Sequence, residues 1–159
     1  MANEKSILVI GVGNEFRGDD GAGLVAVREL RRHFGDGISV LEESGDGLAL
    51  LDAWQGADTV VLIDAMQSGA RPGTIQCWDA NRDAIPRGCL AGTSHAFGVT
   101  EAIEVGKSQK CLPAQLVIYG IEGENFAFDI GLSPAVEAAV MRLTNELAKR
   151  FAAQTAPAV

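Results

Sequence analysis

The sequence predicts an α/β sandwich built on a mostly parallel sheet of about five strands. Three observations carry that expectation. The apolar, β-branched run Ile7 to Ile10 passes through Gly11 and Gly13 into a helical repeat of Leu24, Val27 and Leu30, as an open α/β sheet begins. Thr59 to Ile63 and Gln115 to Ile121 are further apolar runs, of the kind buried on both faces of a parallel sheet. Stretches of helical spacing separate these runs. The 159 residues contain no repeat, low-complexity run or linker, so residues 1–159 are expected to form a single domain. A chain of this length buries roughly 68–70% of its unfolded surface and needs no disulfide or structural metal to fold.

Taken in order, strand 1 is followed by helix 1 from about Gly21 to His33, with Arg28, Arg31 and Arg32 near its end, where cations suit the helix dipole. Ile38 to Leu41 reads as strand 2, followed by an acidic loop, Glu42-Glu43-Ser44-Gly45-Asp46-Gly47. Leu48, Leu50, Leu51 and Trp54 give a short helix ending near Gly56. Thr59 to Ile63 is strand 3, closed by Asp64. Arg71-Pro72-Gly73 marks a turn, and Thr74 to Trp78 is strand 4. Strands 3 and 4 lie too close for a helical crossover, so one of them is expected to run antiparallel. Asn81 to Gly92 is a loop, and Val99 and Ile103 begin a helical pattern. Gln115 to Ile121 is strand 5, ending at Glu122. Ser133-Pro134 starts the last helix. Val136, Val140, Leu143 and Leu147 form its apolar face, and it ends near Arg150 to Ala153.

Composition excludes several classes. The net charge of −8 disfavours nucleic acid and anionic membrane as partners. No apolar run approaches the ~18 residues of a membrane span. Met1 to Ser6 is polar and lacks a signal-peptide core, so a cytoplasmic location is expected. Cys77, Cys89 and Cys111 are odd in number and widely spaced, which implies neither a disulfide framework nor a zinc cluster.

The first glycine loop invites comparison with a dinucleotide site. The G-x-G-x-x-G spelling fails at Phe16, and Asp19 and Asp20 would repel a pyrophosphate at the helix start. A nucleotide-binding Rossmann-like oxidoreductase is thus the weaker alternative. Two roles fit the acid pair: capping helix 1, or, for one of them, binding a cation. Asp64, directly after a buried strand, is placed at the same carboxyl edge of the sheet; the competing role is a turn or cap acid. His95 lies in a polar loop at a helix start, where the dipole favours a neutral, metal-binding imidazole; a surface role is equally open. His33, at a helix end, is read as solvated. Asp20, Asp64 and His95 together make a mixed oxygen/nitrogen set suited to zinc, nickel or similar ions. Cys89 and His95 are near in sequence, but an acidic chain offers little to stabilise a thiolate.

Seven motifs then recur in order: Gly11-Val12-Gly13-Asn14, Gly18-Asp19-Asp20-Gly21-x-Gly23, Leu62-Ile63-Asp64-Ala65, Pro72-Gly73-Thr74, Ser94-His95-x-x-Gly98-Val99, Tyr119-Gly120-Ile121-Glu122 and Gly131-Leu132-Ser133-Pro134. The set spans nearly the whole chain and resembles the nickel–iron hydrogenase maturation proteases. That resemblance implies a three-layer α/β/α sandwich with a twisted five-stranded sheet. It implies an endopeptidase, grouped with the aspartic type, that removes the C-terminal extension of the hydrogenase large-subunit precursor after nickel insertion. The family's metal-contacting positions fall on Asp20, Asp64 and His95. Many members carry an acid followed by Gly-Gly-Thr after strand 2, where this chain has Glu42-Glu43-Ser44-Gly45. On this reading nickel carried by the substrate is the recognition element, and Asp20 or Glu42 is the catalytic base. No tightly bound intrinsic cofactor is expected, although zinc or cadmium could occupy the site. A non-catalytic chaperone of the nickel subunit is the other alternative.

Overall fold

A computed structural model describes residues 6–91 and 96–155. The strands are β1 (Ile7–Val12), β2 (Ser39–Glu43), β3 (Thr59–Met66), β4 (Ile75–Asp79) and β5 (Gln115–Glu122). The helices are α1 (Ala22–Phe34), α2 (Gly47–Ala53), α3 (Val99–Ser108) and α4 (Pro134–Thr155). Their order along the chain is the one the periodicities predict. The five strands form one sheet in the order β2-β1-β3-β5-β4. All neighbours are parallel except β4, which runs antiparallel to β5 at one edge. The short link from β3 to β4 thus turns the chain back without a crossover helix.

Two apolar clusters cover the two faces of the sheet. On one face α1 and α4 pack on Val9, Val61, Ile63 and Tyr119. On the other, α2 and α3 pack on Ile10, Leu62, Met66 and Ile118. β3 is central and buried on both faces, which explains its apolar run from Val60 to Ile63. Period-two alternation puts Val61, Ile63 and Ala65 on the α1/α4 side. Val60, Leu62 and Met66 take the α2/α3 side, and Asp64 shares their parity.

Several strands run further than expected, among them β1, which reaches Val12, and two of these extensions bear on the site. β3 continues three residues past Ile63, so Asp64 lies within the strand rather than closing it; its pairing with Gly120 carries the ladder on. β2 continues through Glu42 and Glu43, paired with Gly11 and Val12 of β1. Pairing to a central neighbour overrides the weak strand preference of glutamate.

The first glycine loop ends in close backbone contact. A Cβ on Gly23 would overlap the carbonyl oxygens of Ile63 and Val12, and one on Gly11 would overlap that of Gly23. Only glycine lets the start of α1 approach β1 and β3 this closely, and this approach brings the Asp20 loop to the strand that carries Asp64.

Candidate functional site

Asp19 and Asp20 sit in a 3-10 turn, Gly18–Gly21, that leads into α1. Neither carboxylate caps α1: its N-cap is Gly21, with no side-chain cap hydrogen bond. The capping role is therefore corrected, and the two acids separate in function.

Asp19 is fully buried and works as a clamp. Its Oδ2 accepts hydrogen bonds from the backbone N–H groups of Glu124 (2.8 Å) and Asn125 (2.9 Å) and from the Ser133 hydroxyl (2.9 Å). Its Oδ1 accepts from the Ser133 N–H at 2.7 Å. Burial pushes the Asp19 pKa up, but these hydrogen bonds from Asn125, Ser133 and Glu124 outweigh it and hold the pKa below the usual value. Asp19 thus ties the first loop to the segment between β5 and α4. Gly18, at φ +58°, completes the tie by donating its N–H to the Asp129 carbonyl at 2.8 Å.

Asp20 is the opposite case. It is 3% exposed, and its Oδ1 has no hydrogen-bond partner among the described residues. Its Oδ2 lies 3.9 Å from the Arg17 guanidinium. Burial raises its pKa, opposed only in part by Arg17 and the Asn14 backbone N–H. A proton or cation would relieve what the protein leaves unsatisfied.

Asp64 is fully buried in β3. Burial, followed by the charges of Glu122 and Asp64, raises the pKa of the Cys89 thiol, which lies against Met66 (Sγ to Sδ 3.8 Å). A thiol so placed is a poor nucleophile, in keeping with the low expectation for cysteine chemistry. His95 lies outside the described residues. The chain on either side of it is anchored: the Ala91 N–H donates to the Ala65 carbonyl (2.9 Å), and the Gly47 N–H of α2 donates to the Phe97 carbonyl (2.8 Å). The first anchor is one residue beyond Asp64. Among the described residues no three His, Cys, Asp or Glu side chains gather as a metal site.

Glu42 is not brought to Asp64. It accepts from Arg28 Nε (3.0 Å) and Nη2 (2.7 Å), with Arg31 at 3.6 Å. Its parity is that of Val40, which packs on the α1/α4 side. It is held in an ion pair with α1, and Arg28 also binds Glu15 at 3.0 Å. Glu43 has the opposite parity, and burial followed by the nearby Asp46 raises its pKa. Asp46 itself caps α2 by accepting from the Leu48 N–H at 3.1 Å.

Sequence reasoning missed Glu122. Its carboxylate is buried and accepts from the Ser68 hydroxyl (2.7 Å), the Ser68 N–H (3.0 Å) and the Gly69 N–H (3.0 Å). It fixes the loop that follows β3. The signal was present, because Glu122 ends a buried strand just as Asp64 interrupts one.

A family model described as HycI, hydrogenase maturation protease, matches residues 25–150. The chain belongs to the hydrogenase maturation protease family. The matched region takes in Asp64 and His95 and begins just after the Asp20 loop. The chain is 30% identical over 126 residues to the hydrogenase expression/formation protein HupD of Thiocapsa roseopersicina, across 77% of this chain and 56% of that protein. It therefore spans little more than half of that relative's length. It is 28% identical to the hydrogenase 2 maturation protease of Escherichia coli K12, covering 84% of this chain and 83% of that one. Among solved structures, the fold is similar to that of an endopeptidase from Escherichia coli, with a TM-score of 0.76, 22% identity and coverage of 97% and 96%. The maturation protease HybD of Thermococcus kodakarensis gives a TM-score of 0.69 at 24% identity, covering 91% of this chain and 98% of that one. This likeness confirms for this family member the α/β fold that the sequence predicts.

Proposed function

We propose that the chain is an endopeptidase that removes the C-terminal extension of a nickel–iron hydrogenase large-subunit precursor. The nickel belongs to the substrate, and Asp20, Asp64 and His95 receive it as ligands. Two carboxylates and an imidazole suit a nickel-type ion and leave positions for the precursor's own ligands. The observation that carries this reading is Asp20, a buried carboxylate whose Oδ1 has no hydrogen-bond partner among the described residues. Leaving such an atom unsatisfied costs about 1–3 kcal/mol, a cost that a site can recover on binding.

The chemistry follows from that placement. Docking the nickel holds the scissile peptide beside a water, and proximity supplies much of the rate. A carboxylate that gives one oxygen to the nickel keeps its other oxygen for the water, so Asp20 can serve as the general base. Asp20 takes the water's proton as its oxygen attacks the scissile carbonyl, then gives that proton to the leaving nitrogen as the C–N bond breaks. Glu42 is the second candidate base from sequence; its ion pair with Arg28 favours Asp20. The partner in this reaction is the hydrogenase large-subunit precursor, and the cytoplasm is the proposed place of the cut.

Mixing the protein with nickel-loaded precursor and reading the precursor's mass tests the reading. The expected result is a mass lower by the C-terminal extension, with the extension released as a peptide. A stable complex containing uncut precursor would instead make the protein a chaperone.

A further inference from the structure

We propose that Phe16, Phe128 and Ile130 form the surface that receives an apolar, basically flanked segment of the precursor polypeptide. The proposal rests on the peptidase reading above. These three side chains are 59%, 90% and 73% exposed. The other four phenylalanines, Phe34, Phe97, Phe126 and Phe151, are buried or half-buried. A protruding aromatic pair beside an exposed isoleucine is what a binding surface presents before its partner covers it.

The three residues are held together and held to the site. Arg17 and Asp129 form a parallel bridge in which the Asp129 N–H donates to the Phe16 carbonyl at 3.1 Å. Phe16 precedes one bridging residue, and Phe128 and Ile130 flank the other. The loop of Phe16 continues into Asp20, and the Asp19 clamp ties the segment of Phe128 to that same loop. The backbone that carries these exposed side chains is therefore tied by hydrogen bonds to the loop of the candidate site. Its surroundings select the partner's charge. Glu124 and Asp129 lie on the same segment, the charge of the neighbouring cation Arg17 is offset by Asp20 at 3.9 Å, and the chain carries a net −8. A segment with basic residues around an apolar anchor complements that rim.

The test compares the parent with the double variant Phe128→Ser, Ile130→Ser. Both side chains are solvent-exposed, so the melting temperature should hold. With nickel-loaded precursor, KM should rise about tenfold while kcat stays within about twofold. An unchanged KM in a parent that cuts would overturn the inference and leave the peptidase reading intact. If the parent does not cut at all, the peptidase reading fails, and affinity for immobilised precursor decides the inference alone. Weaker binding by the variant supports it, and equal binding overturns it. Raising the salt concentration should weaken parent binding; salt-independent binding would contradict the basic flank. A parent that is dimeric in sedimentation beside a monomeric variant would reassign the surface to self-association.

Discussion

Asp20→Asn should give a folded protein that processes its precursor at least about 100-fold more slowly, the loss expected for a missing general base. Asparagine keeps the shape of the side chain but removes both its charge and its proton affinity. The stability effect should run the other way. Burial raises the Asp20 pKa, so the folded state binds that proton more tightly than the unfolded state does. Such an acid adds stability only at low pH; above its folded pKa the buried charge opposes folding. At pH 7 the variant should therefore melt at or above the parent temperature, and the difference should narrow as the pH falls and the parent's carboxyl is protonated. Thermal melts at several pH values, paired with precursor cleavage, read both effects. A variant that cuts at the parent rate would remove Asp20 from the reaction. One that is inactive and melts well below the parent would make its role structural.

The neighbouring substitution, Asp19→Ala, should do the reverse. Four hydrogen bonds end on this carboxylate, from Glu124, Asn125 and, twice, Ser133. Alanine leaves those donors without their acceptor in a buried place, and the expected loss is about 3–5 kcal/mol. The pH dependence has the ordinary acid sign. Hydrogen bonding holds the folded pKa below its usual value against burial. The stability it contributes is complete above the unfolded pKa of about 3.9 and is lost as the pH falls through the folded pKa. Urea unfolding should show a large deficit for Asp19→Ala at pH 7 that shrinks in acid. A deficit below about 1 kcal/mol would mean the clamp holds little. Two adjacent aspartates in one turn thus differ in sign, one stabilising the fold and one held at its expense.

That difference was not legible in the sequence, and the reason is physical. The Asp19 partners lie more than a hundred residues along the chain, so no local pattern separates Asp19 from Asp20. Glu42 and Glu43 pose the same problem. Which of them shares a face with Asp64 depends on the register Gly11 with Glu42 and Val12 with Glu43, and a one-residue step changes the face. The element order was legible because helical and strand periodicities are local properties. The placement of Asp64 near the first loop was legible because an acid directly after a buried strand falls at the sheet's carboxyl edge, although β3 itself runs on to Met66. The antiparallel β4 followed from a link too short for a helix. The exposure of Phe16 was not legible, since an aromatic beside a glycine loop is as easily a packing residue.

The central claim is that the substrate's own nickel brings the scissile peptide to Asp20, Asp64 and His95. The most direct measurement is the cleavage rate of nickel-loaded and nickel-free precursor at equal concentration, followed by mass. The account predicts cleavage of the loaded precursor and none of the nickel-free form, even with the protease in large excess. Equal cleavage of the two would contradict it.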